Sequence, residues 1–212
     1  MSGGPTAALL AALGKAEVYD GAVLSHASEV SIEEFVPFSQ REAITPDRWL
    51  PIECGQAMTP PIWTLQMAQA AAIERHHSVL EIGTGTGYLS AFLARHARKV
   101  LSLDRYRTLL QRAGERCTRL GISNIAFERR DGSVPRNDGL LYDRIVIDSA
   151  FEQVPRQYLD ALASGGCLVC AVGPPDGEQD VLRLTKIGAR FDRQKLFRVR
   201  FNALEKGVAT AL

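Results

Sequence analysis

The chain has 212 residues, 46% of them hydrophobic and 23% charged, a composition that argues against both a disordered and a membrane-spanning protein. Its 25 Lys and Arg against 24 Asp and Glu leave a formal charge of +1, without the basic surplus a dedicated nucleic-acid binder uses to replace counterions. The length suits one domain that buries roughly 70% of its unfolded surface, enough for a cofactor cleft without disulfides or a structural metal.

The first apolar patch, Ala7 to Leu13, has no Lys or Arg before it, so a secretory leader is not expected. No apolar run approaches the ~20 residues of a membrane helix. The four cysteines, Cys54, Cys117, Cys167 and Cys170, are few and lie in apolar segments. They point to a reducing compartment and a cytoplasmic protein. From Thr6 to Pro61 a helical pattern is broken by Pro37, Pro46, Pro51, Pro60 and Pro61, which predicts short helices and then an extended lead-in. Residues 1–61 are thus expected to form a cap and lead-in, and residues 62–212 the main unit.

From Ile62 apolar strands alternate with amphipathic helices, the pattern of a parallel sheet covered on both faces. The expected elements are a helix over Ile62–Ile73, a strand over Ser78–Ile82, a helix over Tyr88–His96 and a strand over Lys99–Leu103. A helix over Thr108–Leu120, closed by Gly121, precedes strands over Ile125–Arg129 and Arg144–Asp148. A helix over Arg156–Ala163, a Gly165-Gly166 turn and a strand over Cys167–Val172 follow. The last two strands, Asp180–Ile187 and Gln194–Asn202, have no helix between them and should form an antiparallel hairpin. The fold class is therefore α/β, Rossmann-like: a seven-stranded, mostly parallel sheet with an antiparallel C-terminal pair and an N-terminal cap.

The turn after the first strand reads Glu81-Ile82-Gly83-Thr84-Gly85-Thr86-Gly87-Tyr88. Glycines there allow tight dihedrals and close approach of a ligand. The spacing is G-x-G-x-G, which differs from the dinucleotide fingerprint G-x-G-x-x-G. Asp104 ends the next strand 17 residues after Gly87, where a carboxylate can accept hydrogen bonds from both ribose hydroxyls. Asp131, followed by Gly132, ends the third strand and could accept from an adenine amino group. Nothing resembles a P-loop lysine, so a nucleoside without phosphates suits the site better than ATP or NAD. This is read as an S-adenosylmethionine site, with S-adenosylhomocysteine as product, and its candidate contacts are Met58, Glu81, Gly83, Thr84, Gly85, Gly87, Asp104, Arg105, Asp131 and Gly132. The competing structural reading makes the glycines ordinary turn residues and the acids helix caps.

Several stretches carry a more specific resemblance: Phe35-Val36-Pro37, Leu50-Pro51-Ile52, Gly55-Gln56-Ala57-Met58-Thr59-Pro60-Pro61, V-L-E-I-G-T-G-T-G-Y at 79–88, Y-D-R-I-V-I at 142–147, Gly165-Gly166-Cys167-Leu168-Val169 and V-R-F at 199–201. From about Val30 to Leu204 the chain resembles the protein-L-isoaspartate O-methyltransferase family. The resemblance implies methylation of the free carboxylate of isoaspartyl residues in damaged proteins or peptides. It also places Thr59 where the family has a serine hydroxyl at the active site. That hydroxyl could orient the acceptor, cap the helix after it, or do both. The family's Thr-Ala-Ala-like segment is here Asp148-Ser149-Ala150, and Ala57 replaces a threonine. Asp148 in the cleft would repel an anionic acceptor and suit one that loses a proton; turned away, it would cap the next helix. Methylation of a small molecule or RNA, and a cofactor-binding protein without turnover, are the alternatives.

Three other signals carry less. Cys167-x-x-Cys170 places its thiols on opposite faces of a strand and so reads as core, not as a metal or redox pair. His76 and His77 are expected to be solvated, without shared ligand spacing with His26 or His96. Arg190, Arg193, Lys195, Arg198 and Arg200 read as a wet strand face.

Overall fold

The structure is a computed structural model that describes residues 4–134, 136 and 139–210. Helices α1 (Pro5–Lys15) and α2 (Gly21–Glu29) are followed by short 3₁₀ turns and a small antiparallel pair, β1 (Leu50–Pro51) with β2 (Ala57–Met58). The main unit runs α3 (Pro61–Ala71), β3 (Ser78–Ile82), α4 (Tyr88–His96), β4 (Lys99–Asp104), α5 (Arg107–Arg119), β5 (Ile125–Arg129), β6 (Tyr142–Phe151), α6 (Arg156–Asp160), β7 (Leu162–Val172), β8 (Gln179–Ile187) and β9 (Arg190–Val199). Seven strands form one sheet in the order β5-β4-β3-β6-β7-β8-β9. The first five are parallel, and β8 runs against both of its neighbours. The expected Rossmann-like α/β fold is therefore present, with the reversed strand one place in from the edge.

Alternation along the central strands separates two cores. Val79, Val146 and Val169 face the cluster that contains Leu13, Phe35, Leu65, Phe92 and Leu93, so α1, α2 and the lead-in share a core with α3, α4 and the sheet. Leu80, Ile82, Ile145, Ile147 and Leu168 face the other side, with Tyr158 and Leu184. Cys167 and Cys170 fall in different clusters, and all four cysteines are free thiols, so the reading of this pair as core holds. In the N-terminal cap, His26 lies against the rings of Tyr88 and Phe92, and burial there depresses its pKa to about 3.

Element edges differ from the sequence expectation in instructive places. The Gly165-Gly166 turn is a bulge inside β7, which begins at Leu162, and α6 stops at Asp160 to make room for it. A Cβ on Gly166 would lie 2.9 Å from the Ala163 carbonyl oxygen and 3.1 Å from those of Tyr142 and Asp143. The last strand ends at Val199, three residues before its expected end, because Asn202 and Leu204 instead pair with Ala150 across the cleft. His77 is buried, contrary to expectation: its Nδ1 accepts from the Glu74 backbone N–H at 2.8 Å in the turn before β3, while His76 stays exposed.

Helix α4 is capped at its start by Gly87, whose φ of +87° and position against α5 both demand glycine. A Cβ there would sit 2.8 Å from Ala113 Cβ. Gly87→Ala is expected to cost about 3 kcal/mol of stability from backbone strain and overpacking together. Urea unfolding followed by circular dichroism measures it.

Candidate active site

The sheet reverses its winding at β3, and ligands of open α/β sheets bind beyond the strand ends at such a point. A cleft of about 520 Å³ opens there, over the C-terminal ends of β3, β4 and β6. Its floor is the glycine turn. Gly83, Gly85 and Gly87 all have positive φ, +93°, +52° and +87°. The turn is fixed from below: Gly83 N–H donates to the Leu103 carbonyl at 2.9 Å, Thr84 Oγ1 and Ser102 Oγ are 2.6 Å apart, and Arg116 donates to the Thr86 carbonyl at 3.0 Å.

Asp104 ties this turn to the end of β4. One carboxylate oxygen accepts from Gly85 N–H at 3.1 Å and the other from Tyr106 N–H at 2.9 Å. Burial pushes its pKa up, and those backbone donors oppose the rise. Gly132 closes the far side of the cleft, where a Cβ would come within 2.6 Å of Ile82 Cγ2. The chain from Phe201 to Ala209 forms the roof. Asn202 and Leu204 bond the backbone of Ala150, Arg105 pairs with Glu205, Gly207 N–H donates to Asp131 at 2.6 Å, and Ala209 N–H donates to the Arg105 carbonyl at 3.2 Å.

On the other side of β3, Asp148 ends the straight part of β6 and lines the cleft beside Gly83. Thr59, only 6% exposed at the entry to α3, places its hydroxyl 2.8 and 2.9 Å from the two carboxylate oxygens and donates to them. Burial raises the Asp148 pKa to about 6; the Thr59 bond opposes the rise and the nearby Asp104 carboxylate adds to it. Trp49 and Phe201 also line this end, and their rings pack edge-on at 5.9 Å, with Trp63 behind them.

Of the residues singled out from sequence, Gly83, Gly85, Asp104, Arg105, Gly132 and Asp148 line the cleft. Thr59 reaches it through Asp148, and Thr84 and Gly87 support the turn from outside. Asp131 sits next to the cleft, but its oxygens hold Ser133 and Gly207. Met58 is buried opposite Leu50 in the β1–β2 pair. Glu81 is fully buried under the turn on the α4 side, where Ser90 donates to it at 2.6 Å and burial lifts its pKa to about 8. Sequence reasoning did not identify Trp49, Gln56, Tyr106 or Leu204 as lining residues. Gln56 belongs to the quoted Gly-Gln segment, and its amide donates to Tyr106 Oη at 3.1 Å, so that motif was the signal available.

A family model for Protein-L-isoaspartate(D-aspartate) O-methyltransferase (PCMT) matches residues 6–209. A protein-L-isoaspartate O-methyltransferase of Bradyrhizobium sp. (strain ORS 278) is 40% identical over 196 residues, which cover 92% of this chain and 91% of that one. One from Azorhizobium caulinodans is 38% identical over 206 residues, covering 97% and 95%. The fold matches a beta-aspartate methyltransferase (PCMT) of Plasmodium falciparum solved in complex with S-adenosyl-L-homocysteine, with a TM-score of 0.81 at 20% identity over 97% of this chain and 100% of that one. With the matched segment spanning cap, glycine turn and roof alike, the chain belongs to the protein-L-isoaspartate(D-aspartate) O-methyltransferase family.

Proposed function

We propose that the chain transfers the methyl group of S-adenosylmethionine to the free carboxylate of isoaspartyl residues in peptides and proteins. The observation that carries this reading is that the glycine turn held by Asp104 opens into the same cleft as the Asp148–Thr59 pair. The donor set fits a nucleoside without phosphates: a carboxylate at the ribose position, a close-approach glycine at the β5 end and no lysine at the turn. When bound, S-adenosylmethionine supplies an electrophilic methyl group on a cationic sulfur.

The residues of the chain bind and align. Gly83 and Gly85 expose backbone to the cofactor, and Asp104 accepts from ribose hydroxyls. Arg105 and Gly132 border the adenine end. Residues 4–61 act as a cap that brings Trp49, Gln56 and Thr59 to the acceptor end, against the 62–210 unit. An ionised carboxylate acceptor needs no general base, so alignment and exclusion of water carry most of the rate. Thr59 is a positioning residue, since its hydroxyl holds Asp148 and does not itself line the cleft. No helix among the described residues is long and apolar enough to cross a membrane, and the free thiols suit a reducing compartment, so we place the activity in the cytoplasm. Of the basic residues on the last strand, Lys195 and Arg198 pair with Asp180 and Glu178, which speaks against a groove for RNA.

The test is methyl transfer from labelled S-adenosylmethionine to an isoaspartyl peptide and to its aspartyl counterpart. Only the first is expected to be methylated; cofactor binding with neither peptide turned over would refute the reading. Thr59→Val is expected to slow transfer about 10- to 100-fold, the worth of one hydrogen bond to a charged group, with cofactor affinity unchanged. It should also move the pH profile of acceptor binding upward, because Asp148 loses the donor that favours its ionised form, and Thr59→Ser should restore both.

A further inference from the structure

The acceptor end of the cleft has an excess of negative charge. The Asp104 carboxylate, two strands away at the end of β4, adds to the negative potential at Asp148, while Glu81 beneath on β3 is kept protonated near neutral pH by its burial and contributes no cation. On β7 the residues paired on either side of its register shift, Val169 with Val146 and Ala171 with Ala150, are apolar. The segment after β2 offers only the Thr59 hydroxyl, and that single proton lies between both Asp148 oxygens. The roof contributes Asn202 and Glu205, the latter paired with Arg105. Arg105 and Arg130 also line the cleft, but they follow β4 and β5, two and three strands from β6, on the order of 10–14 Å away by strand spacing. Arg130 is itself ion-paired to Glu128.

An acceptor carboxylate arriving beside Asp148 therefore finds a second carboxylate and, among the described residues, no adjacent cationic side chain. Two carboxylates at hydrogen-bonding distance do not both stay ionised; they hold one proton between them. We propose that Asp148 binds the acceptor carboxylate through a shared proton, so that wherever Asp148 is ionised in the free protein each acceptor bound takes up one proton from solution. This rests on the reading of the acceptor as a carboxylate. Asp148 then supplies the donor that Thr59 cannot, and Thr59 fixes its orientation. One acceptor oxygen is held by that proton and the other is left to react. Burial already favours the protonated form of Asp148, and a bound carboxylate favours it further.

Below the pKa of free Asp148 the proton is already present and affinity is flat. Above it the proton must be taken from solution, and affinity falls about tenfold per pH unit until the shared proton is lost. The experiment measures binding of a fluorescent isoaspartyl peptide to the full chain with S-adenosylhomocysteine present, so that no turnover occurs, from about pH 5.5 to 8.5. Calorimetry near neutral pH, in two buffers of different ionisation enthalpy, counts the protons taken up. Native protein is expected to show the fall in affinity and an uptake of one proton. Asp148→Asn, whose amide donates without titrating, is expected to bind with flat pH dependence and about tenfold tighter than native protein at the alkaline end. Peptide binding by native protein without proton uptake would overturn the proposal and leave the proposed acceptor standing. Retention of the native pH dependence in Asp148→Asn would also overturn it. Binding of the cofactor product without binding of the peptide at any pH would overturn both. The calorimetric count on native protein stands even if the variant does not fold.

Discussion

Asp104→Ala is expected to weaken S-adenosylmethionine binding about 100-fold or more, measured by isothermal titration. The loss has two parts. The carboxylate supplies the proposed acceptors for the ribose hydroxyls, and hydrogen bonds to a charged group are worth about 1.5–3 kcal/mol each. It also holds the turn: without it Gly85 N–H and Tyr106 N–H lose the oxygens they meet at 3.1 and 2.9 Å, and the glycine floor is no longer fixed to β4. Asp104→Asn separates the two in part, because an amide keeps a carbonyl acceptor for one of the two turn N–H groups but sets a donor against the other and against the ribose. A smaller loss in Asn than in Ala would assign the difference to the turn. Equal affinity of Asp104→Ala and native protein would remove Asp104 from the cofactor site altogether.

Glu81→Gln is expected to stabilise the protein at pH 8 by about 2–4 kcal/mol and to leave it nearly unchanged at pH 4. Glu81 is buried with one oxygen unpartnered, and burial raises its pKa from the ordinary 4.5 to about 8. Below 4.5 the carboxyl is protonated in both folded and unfolded chains, so it does not bias folding. Between 4.5 and 8 the unfolded chain releases the proton while the folded chain keeps it, and stability falls with rising pH. Above 8 both are ionised and the penalty stays constant. Glutamine has the same shape and no proton to lose, and Ser90 can still donate to its carbonyl. Thermal unfolding of both proteins across that range measures the difference in slope; parallel curves would mean that Glu81 is ionised in the fold.

The position of Glu81 also shows what the sequence could and could not reveal. The glycine turn, Asp104 and the alternation of strands and helices were legible because they are local: a turn needs glycine where φ is positive, and a buried parallel strand needs an apolar run. Glu81 is one residue from that turn, where the sequence suggests a ligand of the cofactor, yet the two-residue period of β3 turns it toward Ser90 of α4. The Thr59–Asp148 contact joins residues 89 apart in sequence. Each residue was suspect by itself, but nothing in the spacing revealed that the hydroxyl of one is engaged by the carboxylate of the other. The bulge at Gly165-Gly166 cannot be told from a turn in the sequence, since both need the same residue. The roof was least legible, as Arg105–Glu205 and Gly207–Asp131 depend on where the chain returns after β9.

That roof also fixes when the cleft can exist during synthesis. The glycine turn, Asp104 and Asp148 can take their places as the sheet assembles, but Asn202, Leu204, Gly207 and Ala209 reach Ala150, Asp131 and Arg105 only after they have cleared the ribosome. A ligand stabilises a fold only to the extent that it binds the folded form. Until residues 201–209 are in place the chain must hold the rest of its core without help from a bound nucleoside, and the cofactor can act as a folding ligand only once that segment has closed the cleft.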